Sequence, residues 1–370
     1  MAVPVVACAG AAADRAGAVR RVPRILVFRI GSLGDTCVAV PALRAVRTAW
    51  PDARVAVLTN FSVDGGRKAA PLASVIGASG LVDEYLEYRG GALREAARLL
   101  RRIRAWAPDR VVYLMPVRSP AQLLRDRLFF ALAGVWRLSG WSWRERGQWR
   151  LADGAFEPEA ARLARALAPF QTVRLDDPAA WDLGLTGAEQ ASAAAALGDW
   201  PGRAAFLVAS VGTKVDVKDW GEDRWLEWAR VLGTQHPGLG LALIGVAEEQ
   251  ERSARLAQAW PGPVLNLCGR LQPRESAALI ARARAFVGHD SGPMHLAAAV
   301  GVPCVAVFSA RNLPRVWFPA GARHQVLYHR TDCAGCNRDV CIDRAKECIR
   351  SITIAEVVAA CDSVLAGGAA

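Results

Sequence analysis

What this 370-residue chain lacks narrows it first. No apolar stretch reaches the ~20 residues that a membrane-spanning helix needs, so no bilayer-crossing segment is expected. Lysine is scarce: arginine supplies nearly all of the 46 basic residues behind the net charge of +11. Such a balance suits a phosphorylated ligand, an anionic surface or another acidic partner, and is equally what a GC-rich genome leaves behind. The aromatic signatures of RNA binders and the motifs of DNA readers are missing, so no nucleic-acid partner is expected. The stretch Met1 to Val22 carries its apolar part ahead of Arg20 and Arg21, the reverse of a secretory signal. Residues 1–22 are therefore read as a disordered leader.

What is present is a well-packed globular composition, 52% hydrophobic and 22% charged. The length calls for two domains with separate cores. Short apolar runs, Arg24 to Ile30, Arg54 to Thr59 and Arg110 to Met115, alternate with helical stretches Thr36 to Trp50, Ala92 to Trp106 and Pro120 to Ala133. The alternation resumes with runs Ala204 to Ser210, Leu239 to Ile244, Val264 to Leu267 and Val302 to Phe308. Strand and helix in turn predict α/β architecture, two doubly wound Rossmann-like domains facing across a cleft. The boundary falls near Asp199 to Gly202, giving domains 23–200 and 201–352, then a helix and tail over 353–370. That last helix, Thr353 to Leu365, is expected to pack back across the first domain. Between Trp136 and Arg150 tryptophan and arginine dominate, and a loop packed by its own indoles is preferred over an acceptor or membrane contact.

Two strand-to-helix junctions carry the chemistry. In Gly288-His289-Asp290-Ser291-Gly292-Pro293-Met294-His295 a serine, a glycine and several backbone N–H groups crowd a helix start, which favours a phosphate. The bland alternative is an ordinary N-cap. Far upstream, Ile30-Gly31-Ser32-Leu33-Gly34-Asp35 turns sharply out of a strand and leaves Asp35 at its carboxyl end, where α/β sheets place ligands. There too a helix cap is the alternative on local grounds.

Taken together, Ile30-Gly31-Ser32-Leu33-Gly34-Asp35-Thr36, Val40-Pro41-Ala42-Leu43, Lys218-Asp219-Trp220 and Asp290-Ser291-Gly292-Pro293-Met294-His295 resemble the family 9 glycosyltransferases. The ADP-heptose:lipopolysaccharide heptosyltransferases are the best-known members. The resemblance runs from about Pro23 to the C-terminus. It implies the GT-B fold, an acceptor on the first domain and a nucleotide-sugar donor, ADP-heptose in type, on the second. Asp35 matches the catalytic base of an inverting displacement. A carboxylate is a weak base, effective only within hydrogen-bond reach and when the leaving group departs readily. The transition state it serves has oxocarbenium character. Lys218 matches the phosphate-binding lysine, and Thr213, Asp290, Ser291, Gly292 and His295 match donor contacts. Glu248 or Glu249, with Glu248 chosen, corresponds to the acid that binds ribose. His289 matches no role and is read as a solvent-exposed turn histidine. No Asp-x-Asp pattern stands where a Mg²⁺-dependent transferase needs one, so no catalytic cofactor is expected.

The acceptor implied is an anionic bacterial glycan or glycolipid such as a lipopolysaccharide core. Arg29, Arg67, Lys68, Arg118, Arg125 and Arg127 lie in or near first-domain loops; Lys68 and Arg118, with Gly34, are selected as acceptor contacts. The enzyme is expected to be a cytoplasmic monomer, with peripheral contact at the inner membrane. The motifs depart from the family at Gly31, where many members carry a small hydroxyl residue, and at Val38, where some heptosyltransferases carry histidine. Competing readings are a sugar-nucleotide epimerase of the same architecture and a non-catalytic nucleotide-sugar-binding module.

Nine cysteines include a compact set, Cys333, Cys336, Cys341 and Cys348. The spacing suits a structural zinc site better than an iron–sulfur cluster, and reduced or disulfide-linked thiols are the alternative. Cys8 is read as a free thiol in the leader; Cys37, Cys268, Cys304 and Cys361 are read as buried apolar residues.

Overall fold

The structure is a computed structural model that describes residues 21–60, 72–88, 93–144, 147–198, 200 and 205–367. In the first domain the strands are β1 Arg24–Phe28, β2 Arg54–Thr59, β3 Glu84–Glu87, β4 Arg110–Tyr113 and β5 Leu138–Ser139. The helices are α1 Leu33–Cys37, α2 Val40–Ala49, α3 Ala73–Ile76, α4 Leu93–Trp106, α5 Pro120–Leu132, α6 Glu159–Arg165 and α7 Gly187–Leu197. The second domain holds strands β6 Phe206–Ser210, β7 Gly240–Leu243, β8 Val264–Asn266, β9 Ala285–His289, β10 Cys304–Phe308 and β11 Gln325–Tyr328. Its helices are α8 Glu222–Gln235, α9 Gln250–Ala259, α10 Pro273–Ile280, α11 Gly292–Ala299, α12 Glu347–Arg350 and α13 Ile354–Gly367.

Every strand pair in both sheets is parallel. The orders are β3-β2-β1-β4-β5 and β11-β10-β9-β6-β7-β8. Each order reverses direction beside its first strand, β1 in one sheet and β6 in the other. At such switch points the loops leaving the carboxyl ends diverge and open a crevice. The residues after β1, β6 and β9 are the segments that the motifs single out.

Strands β1, β2, β6, β9 and β10 are apolar and buried almost throughout, as parallel strands covered on both faces must be. The expected helix from Thr36 is split into α1 and α2 because Pro41 sits in the first turn of α2, where its missing N–H is tolerated and a continuing helix is not. Three strands escape the apolar-run criterion: β3 is Glu-Tyr-Leu-Glu, β5 has two residues, and β11 lies on a sheet edge. The terminal helix α13 departs from expectation. Val357, Val358, Cys361 and Val364 bury it in the second-domain core with Trp225, Trp228 and Val307, so it packs on α8, β9, β10 and β11.

Candidate active site

Asp35 is built into its position from the backbone outward. A Cβ at Gly31 would stand 2.3 Å from the Asp35 Cβ, so the turn out of β1 closes only around glycine. Ser32 opens α1, and Asp35 Oδ2 accepts hydrogen bonds from the Ser32 backbone N–H and hydroxyl, both at 2.8 Å. The capping alternative is therefore also true: one carboxylate oxygen caps the helix. The other, Oδ1, lies 3.5 Å from the Arg29 guanidinium. Arg29 is completely buried, donates to the carbonyls of Asp35 (2.7 Å) and Leu114 (2.8 Å), and faces Glu159 at 3.5 Å. It cannot reach an acceptor directly, contrary to its place among the loop arginines; it fixes Asp35.

Across the cleft β9 delivers Asp290 and Ser291 to the start of α11. Ser291 is extended (φ −148°, ψ 170°), and its buried hydroxyl has no hydrogen-bond partner in the protein. Such an orphan at a helix N-terminus suits an anionic ligand. Asp290 is nearly buried, and its Oδ2 meets the Lys218 ammonium at 2.6 Å and the Asn312 amide at 3.1 Å. Lys218 also donates to the Asp290 carbonyl at 3.1 Å, so its charge is already committed. Lys214, four residues earlier on the same loop, makes no ion pair among the described residues and opens into the cleft. Loss of solvent among the cleft walls lowers its pKa; the charge of Asp35 opposes this and that of Lys218 adds to it. The motifs did not single out Lys214, and sequence spacing cannot say which of two loop lysines is spent on a neighbour.

These groups line one cleft of about 820 Å³: Asp35 and Ser32 on one wall, Thr213, Lys214, Lys218, Glu248, Glu249, Asp290, Ser291, Gly292 and His295 on the other. Arg311, Asn312 and Trp317, also unforeseen, complete it. Glu249 is the acid turned inward: its carboxylate fills the space where side chains at Gly212 and Gly245 would stand, with the nearest atoms 2.0 and 2.1 Å from the hypothetical Cβ positions. His295 is buried, and desolvation pulls its pKa down to about 4, so the ring is neutral near pH 7. Gly34 lines the cleft, and what its bare Cα admits is His295, whose Cδ2 lies 2.8 Å from where a Cβ would sit. Gly292 is matched in the same way to Leu33, so α1 and α11 interlock across the two domains.

Other expected residues lie elsewhere. Lys68 and Arg67 fall outside the described residues, as does Cys8. Arg118 lines a separate cavity of about 150 Å³ on the first domain with Met115, Trp141, Arg162 and Arg165. Arg125 pairs with Asp126, and Arg127 donates to the Trp136 carbonyl. His289 is not a solvent-exposed turn residue. It is fully buried, and its Nε2 accepts from the Trp220 N–H (3.0 Å) and the Trp225 indole (3.2 Å). Burial lowers its pKa to about 4. Cys37, Cys268, Cys304 and Cys361 are buried as expected. Cys333, Cys336, Cys341 and Cys348 are free thiols in one segment, with Cys336 exposed. Among the described residues no three His, Cys, Asp or Glu side chains are gathered as a metal ion requires. The segment also braces the lysine loop: the Val217 N–H bonds the Asp339 carbonyl and Lys346 pairs with Asp216.

Two parallel sheets with their switch points turned to one cleft, a carboxylate on one lip and an anion-ready helix start on the other, define a GT-B type glycosyltransferase fold. The chain belongs to a particular branch of that class: the model of glycosyltransferase family 9 (heptosyltransferase) matches residues 119–346. It is 36% identical over 95 residues to lipooligosaccharide heptosyltransferase 2 of Haemophilus influenzae, a match covering 25% of this chain and 27% of that protein. It is 28% identical over 342 residues to lipopolysaccharide heptosyltransferase 1 of Pseudomonas aeruginosa, covering 86% and 87%. The fold superposes on Escherichia coli ADP-heptose lps heptosyltransferase II with a TM-score of 0.63 at 18% identity, covering 94% of this chain and 100% of that one. The protein is thus a glycosyltransferase, and the epimerase alternative is not favoured.

Proposed function

We propose that this enzyme transfers a heptose from an ADP-heptose donor, with inversion, to an anionic glycolipid of the lipopolysaccharide-core type. The single observation that carries the reading is the meeting of Asp35 with the Ser291 and Lys214 side of α11 in one cleft. In this scheme Asp35 Oδ1 takes the proton of an acceptor hydroxyl while that oxygen bonds to the anomeric carbon. The bond from that carbon to the diphosphate oxygen breaks on the opposite face, and the electron pair leaves with ADP. The departing diphosphate falls to the unpartnered Ser291 hydroxyl, the N–H groups opening α11 and the Lys214 ammonium, charge stabilisation of the kind that dominates such steps. Lys218 acts through Asp290, holding it towards the donor sugar. Neutral His295 contributes a hydrogen bond without competing for the proton. Glu249, rather than Glu248, is the acid placed to accept from ribose hydroxyls. Arg118 offers positive charge to acceptor anions from a cavity it lines with Arg162 and Arg165, which are themselves paired with Glu159 and Glu157.

The same reading places the enzyme at the cytoplasmic face of the inner membrane as a monomer. It retains the zinc expectation as a proposal supported by the cysteine spacing: binding requires the four thiolates to close to tetrahedral reach, and no catalytic step depends on it. Zinc content of the purified protein, compared with that of Cys336→Ser, tests it. The functional reading is tested by stabilisation against a panel of ADP-, UDP-, GDP- and TDP-sugars, followed by transfer assays with the best donor. A shift with ADP-heptose and acceptor-dependent ADP release are expected; conversion of the donor to its epimer without acceptor overturns the reading.

A further inference from the structure

Helix α5 is apolar on both sides, although it sits at the surface. Leu123 and Phe130 face the sheet with Asp126, whose carboxylate is held by the Tyr113 hydroxyl at 2.7 Å. On the opposite side Leu124, Leu128 and Leu132 follow one another at helical spacing and are 48, 54 and 60% exposed. Trp136, just past the helix end, is 68% exposed. A row of leucines extending about 12 Å along a helix and ending in tryptophan is more apolar surface than solvation of one face explains.

Its neighbour supplies the charge. Helix α4 buries Leu99 and Ile103 against the same sheet face and carries five arginines against one glutamate, Glu95, which is paired with Arg98. Arg94, Arg98, Arg101 and Arg102 point to solvent, while Arg104 donates to the Leu132 carbonyl and ties α4 to the end of α5. Arg127, within α5, donates to the carbonyl of Trp136 beyond the helix end at 2.8 Å and lies over the Trp141 ring. The layer thus presents an exposed leucine row with an indole at one end and, on the helix tied to it through Arg104, a set of exposed arginines. That excess of one sign of charge beside an apolar row is what an anionic surface complements.

We propose that the α4–α5 layer docks the enzyme on an anionic phospholipid bilayer, with Leu124, Leu128, Leu132 and Trp136 entering the headgroup region and the α4 arginines pairing with lipid phosphates. Helices lying in the interface combine an apolar row with basic flanks in this way, and the leucine row is far too short to span the bilayer. The connection from β4 into α5 also lines the Arg118 cavity through Met115, Pro116 and Arg118, so docking holds that cavity at the lipid surface. The inference deepens the glycolipid-acceptor reading. Its test uses neither donor nor acceptor, so docking and transfer fail separately.

Full-length protein is floated with vesicles of phosphatidylcholine alone and of phosphatidylcholine with phosphatidylglycerol, at low and high salt. Flotation with the anionic vesicles, weakened by salt, is expected. Leu124→Ser combined with Leu128→Ser, and separately Arg98→Gln with Arg101→Gln and Arg102→Gln, should each weaken partition by at least about tenfold while stabilisation by ADP is unchanged. The arginine variant keeps the test open if the leucine variant folds poorly. Wild type that stays with the buffer, equal flotation of both variants and wild type, or a lipid-free dimer that Leu128→Ser splits into monomers each overturns the proposal; the last result assigns the face to a second copy of the chain.

Discussion

Asp35 gives one carboxylate oxygen to the cap of α1 and turns the other towards Arg29, and the residues around it show how much of that arrangement a sequence conveys. Its position after a strand and two glycines was legible; the buried Arg29 that steadies it was not, because an arginine inside an apolar run looks the same whether it surfaces or not. Asp35→Asn keeps the size and removes the basicity, so transfer should fall by about 10²–10⁴-fold with unchanged donor affinity, measured as kcat and donor Kd. The two loop lysines are expected to separate. Lys218→Ala leaves nearly buried Asp290 without its cation and should lower both turnover and melting temperature. Lys214→Ala should lower turnover by about 10–100-fold and leave the melting temperature in place, because no ion pair is lost. Equal effects on stability would contradict the assignment. His289 and His295 add a pH dependence. Each has a folded pKa of about 4 against an ordinary 6.5, so the unfolded chain takes up protons first as pH falls. Their contribution to stability is complete above 6.5 and declines towards 4, and a melting temperature that stays flat across that window would contradict it.

At the scale of elements, strands read directly from the sequence because both faces of a parallel sheet are buried and each strand becomes an apolar run. Edges and short strands lack that signature, which is why β3, β5 and β11 were not foreseen. The meeting of α1 with α11 was equally hidden, since a glycine that admits a distant side chain has no local mark. A Cβ at Gly292 would stand 2.2 Å from Leu33 Cδ2 and 2.7 Å from its Cβ. Gly292→Ala should therefore cost about 1–3 kcal/mol in denaturant unfolding and depress transfer. Adding Leu33→Ala should restore part of both, and failure of that rescue would place the strain elsewhere.

The whole molecule is held by more than its linker. Arg274, on α10 of the second domain and almost fully buried, donates to the carbonyls of Val75 (2.7 Å), Leu183 (2.8 Å) and Gly184 (2.7 Å) and pairs with Glu189 on α7. One guanidinium thus joins the second domain to α3 and to the segments leading into α7. Nothing in the pattern around Arg274 distinguishes it from the many solvated arginines, whereas the two-domain plan itself was evident from two successive strand–helix arrays. Arg274→Met strands Glu189 and three carbonyls and should cost about 3–5 kcal/mol, read by calorimetry as a lower, broader transition. The Arg274 guanidinium also holds the Glu189 carboxyl below the usual range. That contribution is present at neutral pH and is lost as pH falls through the depressed value.

The scarcity of lysine gives the cleft an unusual analytical handle. Among the described residues Lys218 and Lys346 are committed to Asp290 and Asp216, while Lys214 stands open with a lowered pKa. An amine-directed acylating reagent is therefore expected to label Lys214 ahead of Lys218 and Lys346, within the cleft proposed to hold the donor. Protection of that one modified peptide by nucleotide sugar, followed by mass spectrometry, turns a biased composition into a titration of site occupancy.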